Sequence, residues 1–471
     1  MQIIHISAEC YPVAKVGGLG DVVGALPKYQ NQLGHQSKVV VPGYHNTFLE
    51  ENQYDVVHQG QLKLGRFLFS YSILKEKTNK LGFELYQIAI PELFDRPNVY
   101  SYEDDTERFF AFQIALLNWL TETNQYPDIL HCHDHHSSLI PFMVQFCDDY
   151  QNLKATPTVL TIHNAQYQGW FGFDKLHFFP GFDLAKIGYL EWNGGLNSLA
   201  AAIKCAWKIT TVSPSYLDEI SNDANGLESL LRWERPKSVG ILNGIDTEVW
   251  NPKTDPMLPI PYDLKTYKKG KAENKRILCK QFNLDESKPL FIFIGRLVAE
   301  KGADLLSQIC SLALHENHKE ITILILGSGD PQAERDLLNL QNFYHGNYNV
   351  FIGYNEKLAH TLYAGADFLL MPSRVEPCGL NQMYALRYGT VPIVRSTGGL
   401  RDTVTDIDNG GFGICHTQTS ISDVNLSITR AVGLFQDTKK WDAIRKEIMQ
   451  IDHSWDKVAE EYIEVYESLK K

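Results

Sequence analysis

Ten short apolar runs, rich in β-branched residues and separated by helical patterns, constrain the fold of this chain more than any other feature. The runs occupy residues 2–7, 38–41, 129–132, 158–162 and 208–212, and then 290–294, 321–326, 349–352, 367–370 and 391–394. Apolar runs without polar alternation indicate strands that are buried on both faces, as in parallel sheets covered by helices. The sequence therefore predicts an α/β protein with two doubly wound, Rossmann-like sheets.

A break between the two series of strands divides the chain. The first series ends before Leu242–Asp246, and a polar, proline-rich stretch continues to about Asp263. We expect an N-terminal domain at 1–243, a C-terminal domain at 244–455 and a final helix at 456–471 that packs back on the N-terminal domain. The two domains are expected to face each other across a cleft, with ligands bound beyond the carboxyl ends of the strands.

Composition excludes several classes of partner. The net charge of −12 argues against nucleic acid or an anionic membrane as the main partner. The sequence has no apolar run of about 18 residues that would predict a membrane span, and its N-terminus reads as a strand rather than a signal peptide. The eight cysteines follow no metal-binding or disulfide spacing, which indicates reduced thiols and a cytoplasmic protein.

The first predicted strand leads into a glycine-rich loop at Lys15–Gly24. Glycines allow the backbone to approach a ligand closely, the following helix offers N–H groups to an anion, and Lys15 adds a positive charge. A tight turn without a ligand is the alternative. A dinucleotide site is disfavoured, because the glycine spacing is G-x-G-x-x-x-G and the next strand ends in Pro42 and Gly43 rather than an acidic residue.

The histidine-rich run at His131–His136 resembles a metal site at first sight. It lies at a strand end, however, and side chains that alternate between two faces do not all converge. A second ligand motif such as H-E-x-x-H is also missing from the sequence. The pattern therefore favours packing or substrate contacts over a metal. His163 directly follows another strand, where a structural and a functional role are equally open.

Two cations follow the first strand of the second series. Arg296 and Lys301 lie near one strand end beside glycines. Such a pair suits a diphosphate, whose charge has to be neutralised as it departs. A solvated basic pair is the alternative.

The segment Ser373–Gln382 places a carboxylate, a proline and a glycine at a strand-to-helix turn. We expect Glu376 to accept a hydrogen bond from a sugar hydroxyl, while the amides of Cys378, Gly379 and Leu380 hold a phosphate or a second hydroxyl. The glycine pair in Thr397–Asp402 resembles a similar anion-holding turn.

Seven of these segments occur in the order found in bacterial glycogen synthases and plant starch synthases. They are Lys15–Val22 with its K-x-G-G-L motif, His163-Asn164, Leu242–Asp246, Gly295–Leu297, Lys301-Gly302, Ser373–Leu380 and Thr397–Leu400. The chain thus resembles this family from residue 1 to about 460.

The resemblance implies a GT-B fold and retaining transfer of glucose from ADP-glucose to the non-reducing end of an α-1,4-glucan such as glycogen. UDP-glucose is the alternative donor. It also implies that the reaction uses no cofactor and no catalytic metal. The catalytic residues implied are Asp21, His163, Arg296, Lys301 and Glu376. The substrate-binding residues implied are Lys15, Gly17, Gly18, Asn243, Tyr354, Cys378, Gly379, Leu380 and Thr397.

One position departs from the wider GT-B pattern. Many retaining members carry a second glutamate eight positions after the first, and this chain has Tyr384 there. A tyrosine supplies no carboxylate, so the sequence favours a front-face mechanism in which the departing phosphate takes the proton of the acceptor. Double displacement through Glu376 is the less favoured route. A non-catalytic protein that binds sugar nucleotides or glucan is the main alternative function, and a nicotinamide dehydrogenase is a third.

Overall fold

The computed structural model describes residues 1–317 and 320–470. The chain forms two compact units. The first comprises Met1–Gly244 together with the chain from Trp455 onward, and the second comprises Ile245–Ser454.

The first unit is built around a nine-stranded sheet in the order β12-β11-β7-β6-β1-β2-β5-β4-β3. Its strands, together with three short ones outside this sheet, are β1 (Gln2–Ile6), β2 (Gln36–Pro42), β3 (Tyr54–Leu64), β4 (Phe67–Glu76), β5 (Glu84–Ala89), β6 (Ile129–His133), β7 (Thr158–Ile162), β8 (Trp170–Phe171), β9 (Glu191–Trp192), β10 (Gly195–Asn197), β11 (Lys208–Thr211) and β12 (Ser238–Gly240). Its helices are α1 (Gly18–Gln32), α2 (Thr47–Glu51), α3 (Asp105–Glu122), α4 (Ile140–Phe146), α5 (Ser198–Cys205), α6 (Pro214–Ile220) and α7 (Glu228–Trp233).

The sequence predicts a parallel sheet, whereas this sheet is parallel only in part. The strands from β12 to β5 are parallel, but β4 pairs antiparallel with both β5 and β3. The hairpin lies at the edge of the sheet, where β3 exposes most of its side chains and has no apolar run to reveal it. The short strands β8, β10 and β9 form a separate antiparallel sheet.

The second unit has a six-stranded parallel sheet in the order β15-β14-β13-β16-β17-β18. Its strands are β13 (Leu290–Leu297), β14 (Thr322–Gly329), β15 (Tyr348–Ile352), β16 (Phe368–Met371), β17 (Val391–Arg395) and β18 (Ile414–His416). Its helices are α8 (Tyr267–Phe282), α9 (Ala303–Glu316), α10 (Pro331–Leu340), α11 (Glu356–Gly365), α12 (Asn381–Arg387), α13 (Gly398–Thr403), α14 (Ile421–Gln436) and α15 (Thr438–Ile448). This 3-2-1-4-5-6 order is that of a Rossmann sheet.

All ten predicted strands are present in these two sheets. The apolar runs identify them because a strand covered by helices on both faces has to be apolar along its whole length.

The last helix, α16 (Trp455–Glu467), packs on α1 within the first unit. Trp455, Tyr462 and Tyr466 are buried there with Leu26 and Tyr29 of α1. Burying three aromatic side chains removes several hundred Å² of apolar surface from water, at about 150–250 Å² each. The final helix is therefore an integral part of the first unit.

The cysteines are all free thiols, as the sequence indicated. Across residues 1–317 and 320–470, no helix combines the length and the apolar character that crossing a bilayer requires.

Candidate active site

The glycine loop between β1 and α1 is open at its first glycine. Gly17 precedes Gly18, the first residue of α1, in an extended conformation with φ of −147°. A Cβ atom at Gly17 would meet nothing within 4 Å. Neither the backbone nor the packing of this unit therefore requires glycine at position 17.

Glu9, which the sequence analysis missed, stabilises this loop through hydrogen bonds to its backbone. Its Oε2 atom accepts hydrogen bonds from the N–H groups of Val16 at 2.6 Å and Gly17 at 2.9 Å, and Oε1 accepts from the Tyr100 hydroxyl at 2.8 Å. Burial raises the pKa of Glu9, whereas the three donors oppose that shift. The N–H groups of Val16 and Gly17 are thus already used within the protein, which leaves Lys15 and the start of α1 as the groups of this loop that could face an anion.

The structure brings two predicted site residues of this loop together. The Nζ atom of Lys15 lies 2.8 Å from Oδ1 of Asp21, and each side chain is less than one quarter exposed. Lys15 also lies over the ring of Tyr11. These contacts limit the conformations of the lysine and hold its charge beside the open glycine.

His163 follows β7 and is held through its backbone by Asp134. The Oδ1 atom of Asp134 accepts from the N–H of His163 at 2.7 Å, and burial raises the pKa of this carboxyl to about 7. Asp134 itself has φ of 55° and ψ of −176°, a conformation adopted almost only by glycine. A strained residue that supports a predicted site residue is typical of functional sites.

The neighbouring histidines divide between two environments, because β6 ends at His133 and the chain turns into a short 3-10 helix at His135–Ser137. His131 and His133 point to one face of β6, where His133 contacts both His163 and His5 of β1. The rings of His135 and His136 lie against each other beyond the strand, with their planes tilted by 36°. The run as a whole therefore does not converge, but His5, which the sequence analysis did not consider, joins the inward pair.

Asn243 is buried, and its side-chain oxygen has no hydrogen-bond partner in the described part of the chain. An unpaired buried amide oxygen costs about 1–3 kcal/mol. A ligand hydroxyl would satisfy it.

In the second unit, Lys301 and Glu376 form an ion pair. Lys301 Nζ lies 2.6 Å from Glu376 Oε1, and Ser373 Oγ donates to Oε2 at 2.9 Å. The Glu376 side chain is only 8% exposed. Both carboxylate oxygens are thus fixed, and each retains a lone pair for a sugar hydroxyl.

Arg296, the other predicted cation of this unit, is more exposed than Lys301. It lies near the end of β13 with its side chain 44% exposed, and its nearest carboxylate, Glu300, is 3.9 Å away. A surface pair at this distance contributes little to stability. Of the two predicted cations, Lys301 is therefore held by a close ion pair and Arg296 only by a long one.

The glycine pair after β17 packs against the Glu376 turn. The N–H of Gly399 donates to the carbonyls of Glu376 and Pro377, so it is not available to an anion. A Cβ at Gly398 would lie 2.0 Å from the Glu376 carbonyl oxygen, and its φ is 45°. Thr397 precedes this helix and is buried, with its N–H bonded to the Arg395 carbonyl.

The turn after Glu376 leads into α12. Cys378 is buried, Gly379 has φ of 74°, and Leu380 is the residue before the helix. The N–H groups of Gly379 and Leu380 donate to no acceptor in the described residues, which agrees with the predicted role of this turn in holding an anion or a hydroxyl.

Two tyrosines of the second unit occupy contrasting environments. Tyr354 follows β15, is 71% exposed and has its hydroxyl bonded to Glu356. Tyr384 is buried and stacks on Trp250, with ring centroids 3.7 Å apart. The position that carries a second glutamate in many GT-B enzymes is thus filled by packed aromatic rings.

Known proteins of one family are similar to this chain along almost its whole length. Residues 2–233 match the family model "Starch synthase catalytic domain", and residues 274–432 match "Glycosyl transferases group 1". A curated glycogen synthase of Flavobacterium johnsoniae is 61% identical over 466 residues, which cover 99% of this chain and 98% of the relative. The chain belongs to the glycogen and starch synthase family. Its activity is that of a glycogen synthase, a glucosyltransferase that acts in glycogen synthesis.

More distant relatives and solved structures agree with the family. The glycogen synthase of Geobacillus stearothermophilus is 38% identical, over 100% of this chain and 98% of its own. The catalytic domain of starch synthase IV from Arabidopsis thaliana, bound to ADP and acarbose, superposes with a TM-score of 0.91 at 32% identity and covers 99% of both chains. The sucrose-phosphate synthase of Thermosynechococcus elongatus, at 17% identity and a TM-score of 0.62 over 99% and 98% of the two chains, shares the GT-B fold.

Proposed function

We propose that this glycogen synthase transfers glucose from ADP-glucose to the non-reducing end of an α-1,4-glucan with retention of the anomeric configuration. The observation that carries the proposal is the fixed pair of Lys301 and Glu376. It places a cation for a diphosphate and a carboxylate for sugar hydroxyls 2.6 Å apart, so one site addresses both halves of a sugar nucleotide.

Each half of the donor has matching side chains in this proposal. Lys301 and the exposed Arg296 neutralise the diphosphate, and Glu376 accepts from glucose hydroxyls. The unpaired oxygen of Asn243 supports a further contact to glucose, and the exposed ring of Tyr354 is available to stack on the base. Asp21, Lys15 and the open loop at Gly17 are the candidates of the first unit for contacts to glucose and phosphate groups. The turn Cys378–Leu380 and Thr397 complete the substrate contacts.

The chemistry that we propose is a front-face displacement. The bond between the anomeric carbon and the diphosphate oxygen breaks, a new bond forms to the acceptor hydroxyl, and the departing phosphate takes the hydroxyl proton. Lys301 and Arg296 stabilise the charge that develops on the diphosphate. The packed ring of Tyr384 supports this route over double displacement, because it leaves no second carboxylate there.

ADP in the Arabidopsis structure supports an adenine nucleotide over UDP-glucose. The free cysteines support a reducing compartment, and we propose the cytoplasm.

Initial rates of nucleotide release test the proposal. The protein is incubated with ADP-glucose or UDP-glucose, with and without glycogen. We expect glycogen-dependent release of ADP that is faster than release of UDP. Faster turnover of UDP-glucose would reverse the donor assignment. Tight glucan binding without turnover of either donor would favour the non-catalytic alternative.

A further inference from the structure

A chain of hydrogen bonds leads from His163 into the core of the first unit. Nε2 of His163 lies 3.0 Å from Nδ1 of His133, and Nε2 of His133 lies 3.0 Å from Nδ1 of His5. Nε2 of His5 lies 2.8 Å from Oε1 of Gln30. All four residues are buried. Each contact needs one proton between its two atoms, so the positions of the protons along the chain depend on one another.

The amide oxygen of Gln30 decides the direction of these protons. An amide oxygen only accepts, so Nε2 of His5 has to donate. A neutral imidazole has one N–H, which leaves Nδ1 of His5 as an acceptor and requires His133 to donate from Nε2. The same reasoning gives His163 its proton on Nε2 and leaves its Nδ1 with a lone pair.

Two hydroxyl groups contact the amide of Gln30. In the orientation that the structure shows, Ser37 donates to the amide oxygen at 2.6 Å, and the amide nitrogen donates to the Tyr466 hydroxyl at 3.3 Å. The Tyr466 hydroxyl also lies 2.7 Å from Nδ1 of His131. The opposite orientation of the amide would exchange donor and acceptor in each hydrogen bond from Gln30 to His163. The final helix, which carries Tyr466, thus reaches the ring of His163 through three side chains.

The imidazole rings of His5, His133 and His163 are uncharged at neutral pH. Burial lowers the pKa of His5 to about 4 and that of His163 to about 3, and it lowers the pKa of His133 well below the ordinary value. An uncharged ring with a free lone pair accepts a hydrogen bond and has no second proton to give.

A metal ion is the other use of such a cluster. Ligand nitrogens of His5, His131 and His133 lie within 4.8 Å of one another. Both nitrogens of each ring, however, already contact a protein partner at 2.6–3.0 Å. The lone pairs that a metal would need are therefore used within the protein.

We propose that Gln30, His5 and His133 hold His163 in its Nε2–H tautomer, so that His163 presents Nδ1 to the substrate as a hydrogen-bond acceptor. Nδ1 of His163 has no partner among the hydrogen bonds of residues 1–317 and 320–470. The identity of the substrate hydroxyl rests on the proposed function, but the tautomer does not. Gln30, His5 and His133 are positioning residues, because they act on the substrate only through His163.

NMR of the protein with ¹⁵N-labelled histidine tests the tautomer in the absence of substrate. The His163→Gln variant identifies the signals of His163 by their loss. We expect a proton on Nε2 and an unprotonated Nδ1 at pH 7.5. A proton on Nδ1, a doubly protonated ring or a bound metal in the purified protein would overturn the proposal. This readout is independent of turnover, so a failure of the proposed function would not be mistaken for it.

Variants of Gln30 test the effect on catalysis. Gln30→Met removes the acceptor, so we expect a mixed tautomer at His163 and a kcat lower by about 10- to 100-fold, the usual cost of a misplaced group. Gln30→Glu keeps an acceptor and should retain the Nε2–H signal and most of kcat. Gln113→Met is the matched control, because the buried amide of Gln113 accepts from the N–H of Leu139 and donates to the Phe109 carbonyl, and these hydrogen bonds do not involve His5, His133 or His163; it should lower stability without changing kcat. Full activity of Gln30→Met, or equal losses in Gln113→Met, would contradict the proposal.

Discussion

Replacing Lys301 by glutamine removes the charge at the proposed diphosphate site while leaving a group that donates a hydrogen bond to Glu376. Two unit charges about 4 Å apart interact by about 4 kcal/mol at an effective dielectric constant of 20. Lys301 is 23% exposed, so solvent screens part of this interaction, and we adopt about 3–4 kcal/mol, which lies within the range measured for the loss of one electrostatic contact in an active site. The expected result is a kcat lower by about 100- to 1,000-fold.

The assay is release of ADP at saturating ADP-glucose and glycogen, with the melting temperature recorded for each variant. Lys237→Gln is the matched control, because Lys237 pairs with Glu234 at 3.1 Å and is 22% exposed, close to the exposure of Lys301. It precedes β12, at the end of the sheet away from the predicted ligand side. Lys237→Gln should keep its kcat. A kcat of Lys301→Gln within threefold of the wild type, or an equal loss in the control, would refute the reasoning.

Three further predictions concern the first unit. Gly17→Ala should raise the KM for ADP-glucose without changing the melting temperature, because the added Cβ meets no protein atom within 4 Å; an unchanged KM would argue against close approach of the donor. Asp134→Gly should unfold with a free energy about 1–3 kcal/mol higher than Asp134→Ala, since both lose the carboxylate but only glycine adopts this backbone without strain; equal values in urea denaturation would contradict the strain. The pKa of His5, about 4 in the folded state, lies below that of an unfolded histidine, so its contribution is complete above about pH 6.5 and is lost as the pH falls. Acidification from pH 7 to 5 should therefore lower the free energy of unfolding of both proteins, and the decrease should be about 2 kcal/mol smaller in His5→Gln than in the wild type. An identical pH dependence in the two proteins would show that the pKa of His5 is not lowered in the folded state.

The sequence predicts the strands of the core because their physical requirement is local. A strand buried on both faces, such as β13, has to be apolar throughout, and this is visible in a few consecutive residues. The edge hairpin of β3 and β4 meets no such requirement, because its register depends on cross-strand contacts between residues apart in sequence. It was therefore missed.

The predicted site residues lie in motifs that follow strand ends, whereas the residues that support them carry no local signal. Glu9 and Asp134 act by accepting hydrogen bonds from backbone N–H groups, which any sequence possesses. Gln30 and Tyr466 meet across 436 positions of the chain, a separation that no spacing rule covers. One available clue is His5, a polar residue inside the apolar run of β1.

The most direct measurement of the central claim follows labelled glucose from ADP-glucose into glycogen and then digests the product with an exo-acting hydrolase specific for α-1,4 linkages. The account predicts that label enters the polymer only when glycogen is present and that the hydrolase releases it at once from the chain ends. Absence of label from the polymer, or label that resists the hydrolase, would contradict retaining transfer to the non-reducing end.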